Sequence, residues 1–586
     1  MNRRIHRWTV TTTPTDPAIV QQLAKEVNVS ETLARVLCNR GIASYAKAKE
    51  FFRPQLSDLH DPFLMDGMER AVDRMVQAVK NHDRVMIFGD YDVDGTTSIA
   101  MLTLYFRHLG LETISYVPDR IKEGYGMSNL AMDKAKNAGV NLVVSIDCGI
   151  TAIDQVEYAR SLGIDVIICD HHEPLETLPK AVAVLDPLKP NCPYPFKYLC
   201  GCGVGFKLIQ GISARLHQET AEEVANNYID FVTIATAADI VPMVGENRIF
   251  AKIGLEQINM RPRPGIRALI ENAGLQPGKT NTGQIVFVLA PRINAVGRMG
   301  DASRAVQLLM SNEADRTIDL AQVLEEENRN RRKIDEETFF QAQQLVESYL
   351  ESGTDPAIVL HHESWHPGVI GIVASRLVEK YYRPTIMLTT VEGVAKGSAR
   401  SISGFDIHAA LKRVEDKLLQ FGGHKYAAGL SVALDRVDEF RRAFNSVVEE
   451  LMTDNVRTPE ILIDTELSLS EITPRFLRIL KEFAPFGPSN MRPVFLARDV
   501  EVVGTPKVVG KDHLKLKVRQ NRNVLDAIGF GLGSLIDKVR TNGRKLDIVF
   551  SIDEYEWQSS APAQGGATES FPQLKVKDLK INGEGN

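Results

Sequence analysis

The chain has 586 residues, room for about three to five domains at roughly 100–200 residues each, so a single small binding module is excluded. With 44% hydrophobic and 25% charged residues it has the composition of an ordinary globular protein, which excludes global disorder and collagen-like repeats. Lys+Arg number 69 against 75 Asp+Glu, a formal net charge of −6, so any nucleic-acid-binding surface must be local. Residues 1–80 read as an N-terminal helical cap of short helices broken by Pro and Gly, with QQLAKEV and ETLARVLCNRG as its clearest segments and Gly41 as a C-cap.

From residue 84 short β-branched runs alternate with amphipathic stretches: RVMIFGD, SIAMLTLYFRHLG, LVVSIDCG, AIDQVEYARSLG, DVIICDHH and KAVAVLDP. That alternation predicts an α/β domain over 81–315, with a parallel sheet covered by helices on both faces. After residue 203 the pattern is mainly helical. The segment 316–350 lacks Gly and Pro and is densely charged, as a connector helix between two domains would be. A second α/β pattern follows over 351–455 (AIVLHH, VIGIVASRLVEKYY, RPTIMLTT, AKGSARS), then a β-rich region over 456–560 that predicts a small barrel or sandwich. The tail, 561–586, opens in low complexity, although FPQLKVKDLKI has the pattern of one more strand.

Six cysteines (Cys38, Cys148, Cys169, Cys192, Cys200, Cys202) are too few for a disulfide scaffold, and the Cys200/Cys202 pair has no matching second pair for zinc. Arg3 and Arg4 are followed by no apolar signal region, and no run of about 18 apolar residues occurs. The expectation is a cytoplasmic protein that neither spans nor binds a membrane.

Each strong strand of the first sheet ends in acidic or imidazole residues: Asp90, Asp92 and Asp94 in GDYDVDG, Asp147 in SIDCG, and Asp170, His171 and His172 in CDHH. Ligands of open parallel sheets bind beyond the carboxyl ends of the strands. If GDYDVDG is extended, Asp90, Asp92 and Asp94 point the same way, and carboxylates so crowded repel unless cations share them. Oxygen-rich ligands with one or two imidazoles suit Mg²⁺ or Mn²⁺, and the ligand count suggests two ions, hence phosphoester hydrolysis. An N-cap or turn role explains any one of these aspartates, but not all of them together. No GxxxxGK[ST], EF-hand Glu or GxGxxG is present in the expected places. His361 and His362 end a strand without acidic partners and are not read as ligands.

Together GDYDVDG, SIDCG, CDHHEP and ATAADIVP resemble the DHH phosphoesterase superfamily, and FGGHKYAAGL resembles the GGH motif of its associated domain. RINAVGRMGDAS, HPGVIGIVASRL and PFGPSNMRPVF narrow the resemblance, over about residues 60–555, to the bacterial single-strand-specific 5′→3′ DNA exonucleases of that superfamily. The resemblance implies metal ligation by Asp90, Asp92, Asp94, Asp147, His171 and Asp239, with Asp147 bridging. It implies that His172 touches the scissile phosphate or protonates the leaving oxygen, and that Asp170 orients the imidazoles. Gly422, Gly423 and His424 then form a tight turn facing a phosphate or sugar. Arg120, Arg298 and Arg400 suit forked phosphate contacts, and Ser398, Arg400 and Ser401 would hold a 5′-terminal phosphate, although a structural ion pair explains each Arg alone as well.

In KDHLKLKVRQNR, alternation puts Lys515, Lys517 and Arg519 on one face with His513, and Leu514, Leu516 and Val518 in the core. These are solvated lysines or, given the resemblance, the strand-binding face of an OB-like domain. The expected activity is release of 5′-mononucleotides from single-stranded DNA threaded between two α/β domains. The expected setting is recombinational and mismatch repair, as a monomer beside a RecQ-type helicase and the single-strand DNA-binding protein. The competing readings are a DHH phosphodiesterase of short oligonucleotides or cyclic dinucleotides, and a non-catalytic DHH scaffold.

Overall fold

The computed structural model describes residues 6–12, 15–120, 123–124, 126–352, 355–540, 544–557 and 569–582. Arg3 and Arg4, and most of the low-complexity stretch SSAPAQGGATES, lie outside the described residues. The chain divides into two compact units, His60–Asp239 with Gly254–Pro459, and His6–Leu59 with Ile240–Ile253 and the residues from Glu460 on.

Strand β1 (Arg7–Val10) and helices α1 (Pro17–Val27), α2 (Glu31–Asn39) and α3 (Tyr45–Phe52) open the chain. Each helix has a side-chain N-cap, Asp16, Ser30 and Ser44 respectively. They pack with the β-rich region, sharing one core that runs from Val20 and Leu37 to Phe483 and Val518. The expected cap over 1–80 is therefore divided, because α4 (Met68–Asn81) buries Met68, Val72 and Met75 in the other unit.

There the α/β pattern appears as read: β2 (Arg84–Gly89), α5 (Val93–His108), β3 (Glu112–Tyr116), α6 (Asn129–Asn137), β4 (Leu142–Ile146), α7 (Ile153–Ser161), β5 (Asp165–Cys169) and β6 (Ala183–Leu185). All pairings are parallel, in the order β3-β2-β4-β5-β6. Every residue of β4 is buried, as a strand covered on both faces must be. The order reverses between β2 and β4, so the crevice of the sheet opens where Asp90 and Asp147 emerge.

Helices α8 (Gly201–Leu216), α9 (Ala221–Ala238), α10 (Gly245–Met260) and α11 (Pro264–Asn272) follow. A short α12 (Thr282–Gln284) runs through a π-helical turn (Ile285–Leu289) into α13 (Ala290–Met299), and α14 (Ser303–Met310) precedes the 39-residue α15 (Ala314–Ser352). The long connecting helix is thus present, and its middle buries polar side chains, Glu325, Asn328, Arg331 and Asp335. Arg292 pairs with Glu325 at 2.6 Å and Arg376 with Asp335 at 3.0 Å.

The second sheet holds β7 (Ile358–His361), β8 (Thr385–Val391), β9 (Val394–Arg400), β10 (Gln420–His424) and β11 (Ala427–Ala433) in the order β10-β11-β9-β8-β7, flanked by α16 (Ile370–Tyr381), α17 (Ile407–Lys412) and α18 (Val437–Leu451).

In the other unit β12 (Glu460–Ile463) pairs with β1, and β13 (Thr465–Glu466) lies beside β14 (Phe495–Val509). With β15 (His513–Gln520), β16 (Asn523–Phe530), β17 (Lys545–Trp557) and β18 (Glu569–Ile581), β14 closes a five-stranded barrel in the ring order β14-β15-β16-β18-β17. Closure removes the sheet edges, and FPQLKVKDLKI forms the last strand as read. Leu514, Leu516 and Val518 fill the core, each burial worth about 1.5–3 kcal/mol before entropy is counted. Among the described residues no helix is long and apolar enough to cross a membrane.

Candidate metal centre and anion pocket

The aspartates after β2 do not share one face through an extended segment, as the sequence suggested. The strand stops at Gly89 and the chain turns at once into α5, with Asp92 as its N-cap, its Oδ1 accepting from the Gly95 amide at 3.1 Å. The turn is tight enough that a Cβ on Gly95 would sit 2.3 Å from the Asp90 carbonyl oxygen. Asp94 then falls in the first turn of α5, wholly buried. Its Oδ2 accepts from the Gly201 amide at 2.6 Å and its Oδ1 from the Cys202 amide at 2.8 Å, so this carboxylate caps α8, which has no side-chain cap of its own.

Asp147 follows β4 with a left-handed backbone (φ +60°), and Gly201 is required beside it because a Cβ there would lie 2.7 Å from that of Asp147. Asp239 ends α9, and the next residue, Ile240, is also left-handed at φ +60°. The His171 Nε2 lies 3.1 Å from Asp147 Oδ1, 3.7 Å from Asp239 Oδ2 and 3.8 Å from Asp94 Oδ2. Ligand atoms of Asp94, His171 and Asp239 all fall within 4.8 Å of one another, as do those of Asp90, Asp92 and Asp147. The two sets suit two hard cations, and the fit has independent support: Asp90 Oδ1 is buried with no hydrogen-bond partner among the described residues.

Electrostatics agree. Burial, then the neighbouring Asp92, pushes the Asp90 carboxyl up to about 8 and that of Asp94 up to about 7. Burial and the crowd of carboxylates around them hold Asp147 and Asp239 well above the usual range. Burial, and then His172, lowers His171 to about 4, so its imidazole is neutral and fit to ligate.

Asp170 takes a different part. Its Oδ1 accepts from His172 Nδ1 at 2.7 Å and from the His171 amide at 2.8 Å, and its Oδ2 from the Ile150 amide at 2.9 Å. Burial alone would lower His172, but the Asp170 hydrogen bond and the surrounding carboxylates outweigh it and raise the imidazole to about 9.

A second cluster lies beside the first. Gly297 of α13 meets the backbone of Tyr91, between Asp90 and Asp92, so closely that a Cβ would stand 2.5 Å from the Tyr91 carbonyl oxygen. The next residue, Arg298, is brought among Arg120, Arg331 and Arg400, and burial followed by those three charges lowers its guanidinium to about 10. Burial and Arg120 lower Arg400 as well. The Arg120 guanidinium lies 4.9 Å over the Tyr91 ring, and Arg400 Nη1 donates to Ser398 Oγ at 2.8 Å. Among the described residues, no carboxylate forms an ion pair with Arg120, Arg298 or Arg400. Half-buried guanidiniums gathered in this way, with no carboxylate ion pair among the described residues, suit an anion.

Other candidates stand apart from this cluster. Ser401 Oγ donates to the Phe405 carbonyl at 2.8 Å. Gly422, Gly423 and His424 do not form the expected turn: they end the exposed edge strand β10, and the turn lies beyond them at Lys425 and Tyr426. Gly423 is still required, for at φ +140° a Cβ would sit 2.4 Å from the Ala427 carbonyl oxygen. On the barrel Lys515, Lys517 and Arg519 share the outer face of β15 as read, with Arg519 Nη2 2.6 Å from Glu501.

Reading by sequence alone missed five residues around the two clusters: Gly201 and Cys202 through their amides, Tyr91, Arg331 and Asp186. Asp186 follows β6 in VLDP, the same strand-end signal as Asp147, and is buried with its Oδ2 unpartnered among the described residues. Arg331 carried no signal within a helix crowded with charge.

Comparison with known proteins identifies residues 84–236 with the DHH family N-terminal domain, 354–450 with the DHHA1 domain and 463–565 with the RecJ OB domain. The chain is 36% identical over 580 residues to the single-stranded-DNA-specific exonuclease RecJ of Bacillus subtilis, covering 98% of this chain and 71% of that one. It is 34% identical to the protein of the same name from Escherichia coli, covering 91% and 94%. The crystal structure of RecJ in complex with Mn²⁺ from Thermus thermophilus superposes with a TM-score of 0.82 at 26% identity, over 98% of this chain and 79% of that chain.

Proposed function

We infer the division of labour in this protein from the fact that the chain belongs to the RecJ family of single-stranded-DNA-specific exonucleases. It is a metal-dependent hydrolase of single-stranded DNA, and Mn²⁺ or Mg²⁺ is its cofactor. The polarity is 5′→3′. The observation that carries this reading is the adjacency of two clusters of opposite sign, the acids around His171 and the arginines around Arg298.

Asp90, Asp92 and Asp147 would hold one ion and Asp94, His171 and Asp239 the other. When bound, the ions acidify a water and neutralise charge on the phosphate undergoing displacement. Asp170 fixes the His172 tautomer by accepting from Nδ1, which leaves the Nε2 proton of a cationic imidazole for the leaving 3′-oxygen. Water attacks phosphorus, the bond to that 3′-oxygen breaks, and a 5′-mononucleotide departs. The shortened strand keeps the phosphate as its new 5′ end.

Arg120, Arg298, Arg400 and Ser398 are suited to that recurring 5′-phosphate, and Gly422, Gly423, His424 and Ser401 to the sugar-phosphate chain. Lys515, Lys517 and Arg519 would track a longer strand. Residues 81–315 thus carry the chemistry, 351–455 the substrate end and 456–560 the strand. The match to the RecJ OB domain weighs against a short-oligonucleotide phosphodiesterase, and the complete set of ligands weighs against a scaffold. We place the enzyme in the cytoplasm, as a monomer in DNA repair. A RecQ-type helicase would supply its single strands, and the single-strand DNA-binding protein would coat them.

The test uses 5′- and 3′-labelled strands and a blunt duplex with Mn²⁺, Mg²⁺ or chelator. Early release of the 5′ label as mononucleotide, with the duplex spared and no release in chelator, is the expected result. Early loss of the 3′ label would overturn the polarity.

A further inference from the structure

The segment HPGVIG, residues 366–371, has no part in the reading above, yet it is wedged into the arginine cluster at two points. A Cβ on Gly368 would stand 2.7 Å from the Arg298 carbonyl oxygen, and Arg298 Nη1 donates back to the Gly368 carbonyl at 3.0 Å. A Cβ on Gly371 would stand 2.8 Å from Ser398 Oγ and 2.9 Å from Arg400 Nη2. The two glycines let one loop touch both walls of the pocket, and His366 heads that loop. Its Nδ1 accepts the Gly368 amide at 3.0 Å, which fixes the tautomer: in the neutral ring the remaining proton sits on Nε2. Burial, and then the charge of Arg120, lowers its pKa, so the ring stays neutral beside the guanidiniums.

We propose that His366 is a specificity-determining residue of the anion pocket, its Nε2–H donating to a non-bridging oxygen of the strand's 5′-terminal phosphate beside Arg298 and Arg400. The inference rests on the assignment of that pocket to the 5′-phosphate. A neutral donor adds a directed hydrogen bond without adding a further charge to a site already crowded with like charge. Discrimination follows, because a 5′-hydroxyl end leaves the arginines and the imidazole without their acceptor.

His366→Asn separates this role from a structural one. An Asn side chain can accept the amide two residues on, as His366 does, but has no group at the Nε2 position. The full-length wild type, His366→Asn and His366→Ala are compared on strands of about 30 nucleotides carrying a 5′-phosphate or a 5′-hydroxyl, measuring KM and kcat for the first cleavage. The expected result is that His366→Asn raises KM about 10–100-fold on the phosphorylated strand alone, the size of one hydrogen bond to a charged group, with kcat held. Wild-type kinetics in His366→Asn, or equal losses on both strands, would overturn the inference and leave His366 a turn residue. Absence of any preference for 5′-phosphate in the wild type would instead overturn the assignment of the pocket itself.

Discussion

Two clusters of like charge sit in one compact unit, and their difference lies in how each tolerates its own repulsion. The acidic cluster yields by protonation: Asp90 and Asp94 rise to about 8 and about 7, so without cations several carboxyls are neutral near neutral pH. The arginine cluster cannot yield in that way, since a guanidinium lowered to about 10 is still fully charged. The acids therefore form a site that trades protons for metal, and the arginines a permanent cationic field that only an anion relieves. Each cluster is costly to stability by itself, as preorganised sites generally are.

The largest test of that contrast is Asp147→Asn. Asp147 is the carboxylate nearest the His171 Nε2 and shares a ligand set with Asp90 and Asp92, so its loss should lower the cleavage rate by at least about 10²–10³-fold, the effect of removing one preorganised charge-stabilising group. Steady-state nucleotide release checks it. Arg298→Met should instead leave the rate at saturation nearly intact, and a comparable fall in kcat would erase the distinction between the clusters.

The pH dependence of the metal-free protein sharpens the comparison next. A group whose folded pKa is raised contributes stability that is complete below its unfolded pKa and lost as pH rises through the folded value. Asp90 and Asp94 start near 3.8 and His172 near 6.5, rising to about 8, about 7 and about 9. His171, lowered to about 4, works in the opposite sense, but only below 6.5. Between pH 6.5 and 8 the terms agree, and thermal melts in chelator should show Tm falling across that window. Mn²⁺ displaces the protons, so its stabilisation should be larger at pH 8 than at pH 6.5. An equal Mn²⁺ effect at the two pH values would mean that the acids do not hold protons in the free protein.

Much of this was legible in the sequence. Strand order and strand-end chemistry were written in local runs such as LVVSIDCG and DVIICDHH, because a buried parallel strand must be continuously apolar and its polar residues can only appear past its end. The contributions of single backbone geometries were not. GDYDVDG reads equally well as an extended segment or as a strand-to-helix turn, and the choice is made by Gly95 packing on the Asp90 carbonyl. Capping of α8 by Asp94 joins residues more than a hundred positions apart, and no local pattern encodes it. The division of the N-terminal helices from α4 depends on which core accepts Leu37 and which accepts Val72, and the face of α4 formed by Met68, Val72 and Met75 looks as apolar as that of any other helix. Arg298 and Arg400 were legible as cations, but that no carboxylate among the described residues forms an ion pair with them is a fact of three dimensions.

A moderate effect is expected in the arginine cluster. Arg298→Met should raise KM for a 5′-phosphorylated strand about 10–100-fold, corresponding to the loss of charge-assisted hydrogen bonds worth about 1.5–3 kcal/mol. It should leave KM for the 5′-hydroxyl strand nearly unchanged. Because the substitution removes one of several mutually repelling cations, Tm should hold or rise, the reverse of what losing a stabilising ion pair does. A fall of several degrees would mean that the bond from Arg298 to the Gly368 carbonyl outweighs the repulsion.

The smallest effects belong to the barrel, where the cations of β15 lie on its outer face. Lys515 and Lys517 meet solvent on the outer face of β15, and the Arg519 charge is already met by Glu501. Exposed cations bind a strand through counterion release, at about 0.7 in the slope of log K against log salt per phosphate contact. The double change Lys515→Ala and Lys517→Ala should therefore flatten that slope by about 1.4 on strands long enough to reach the barrel, measured by anisotropy in chelator. Arg519→Ala should flatten it less, because removing a cation already paired to a carboxylate changes the field by less than one charge. If Arg519→Ala matched the lysines, the Glu501 pair would be broken whenever a strand is bound, and the barrel would present three working cations rather than two.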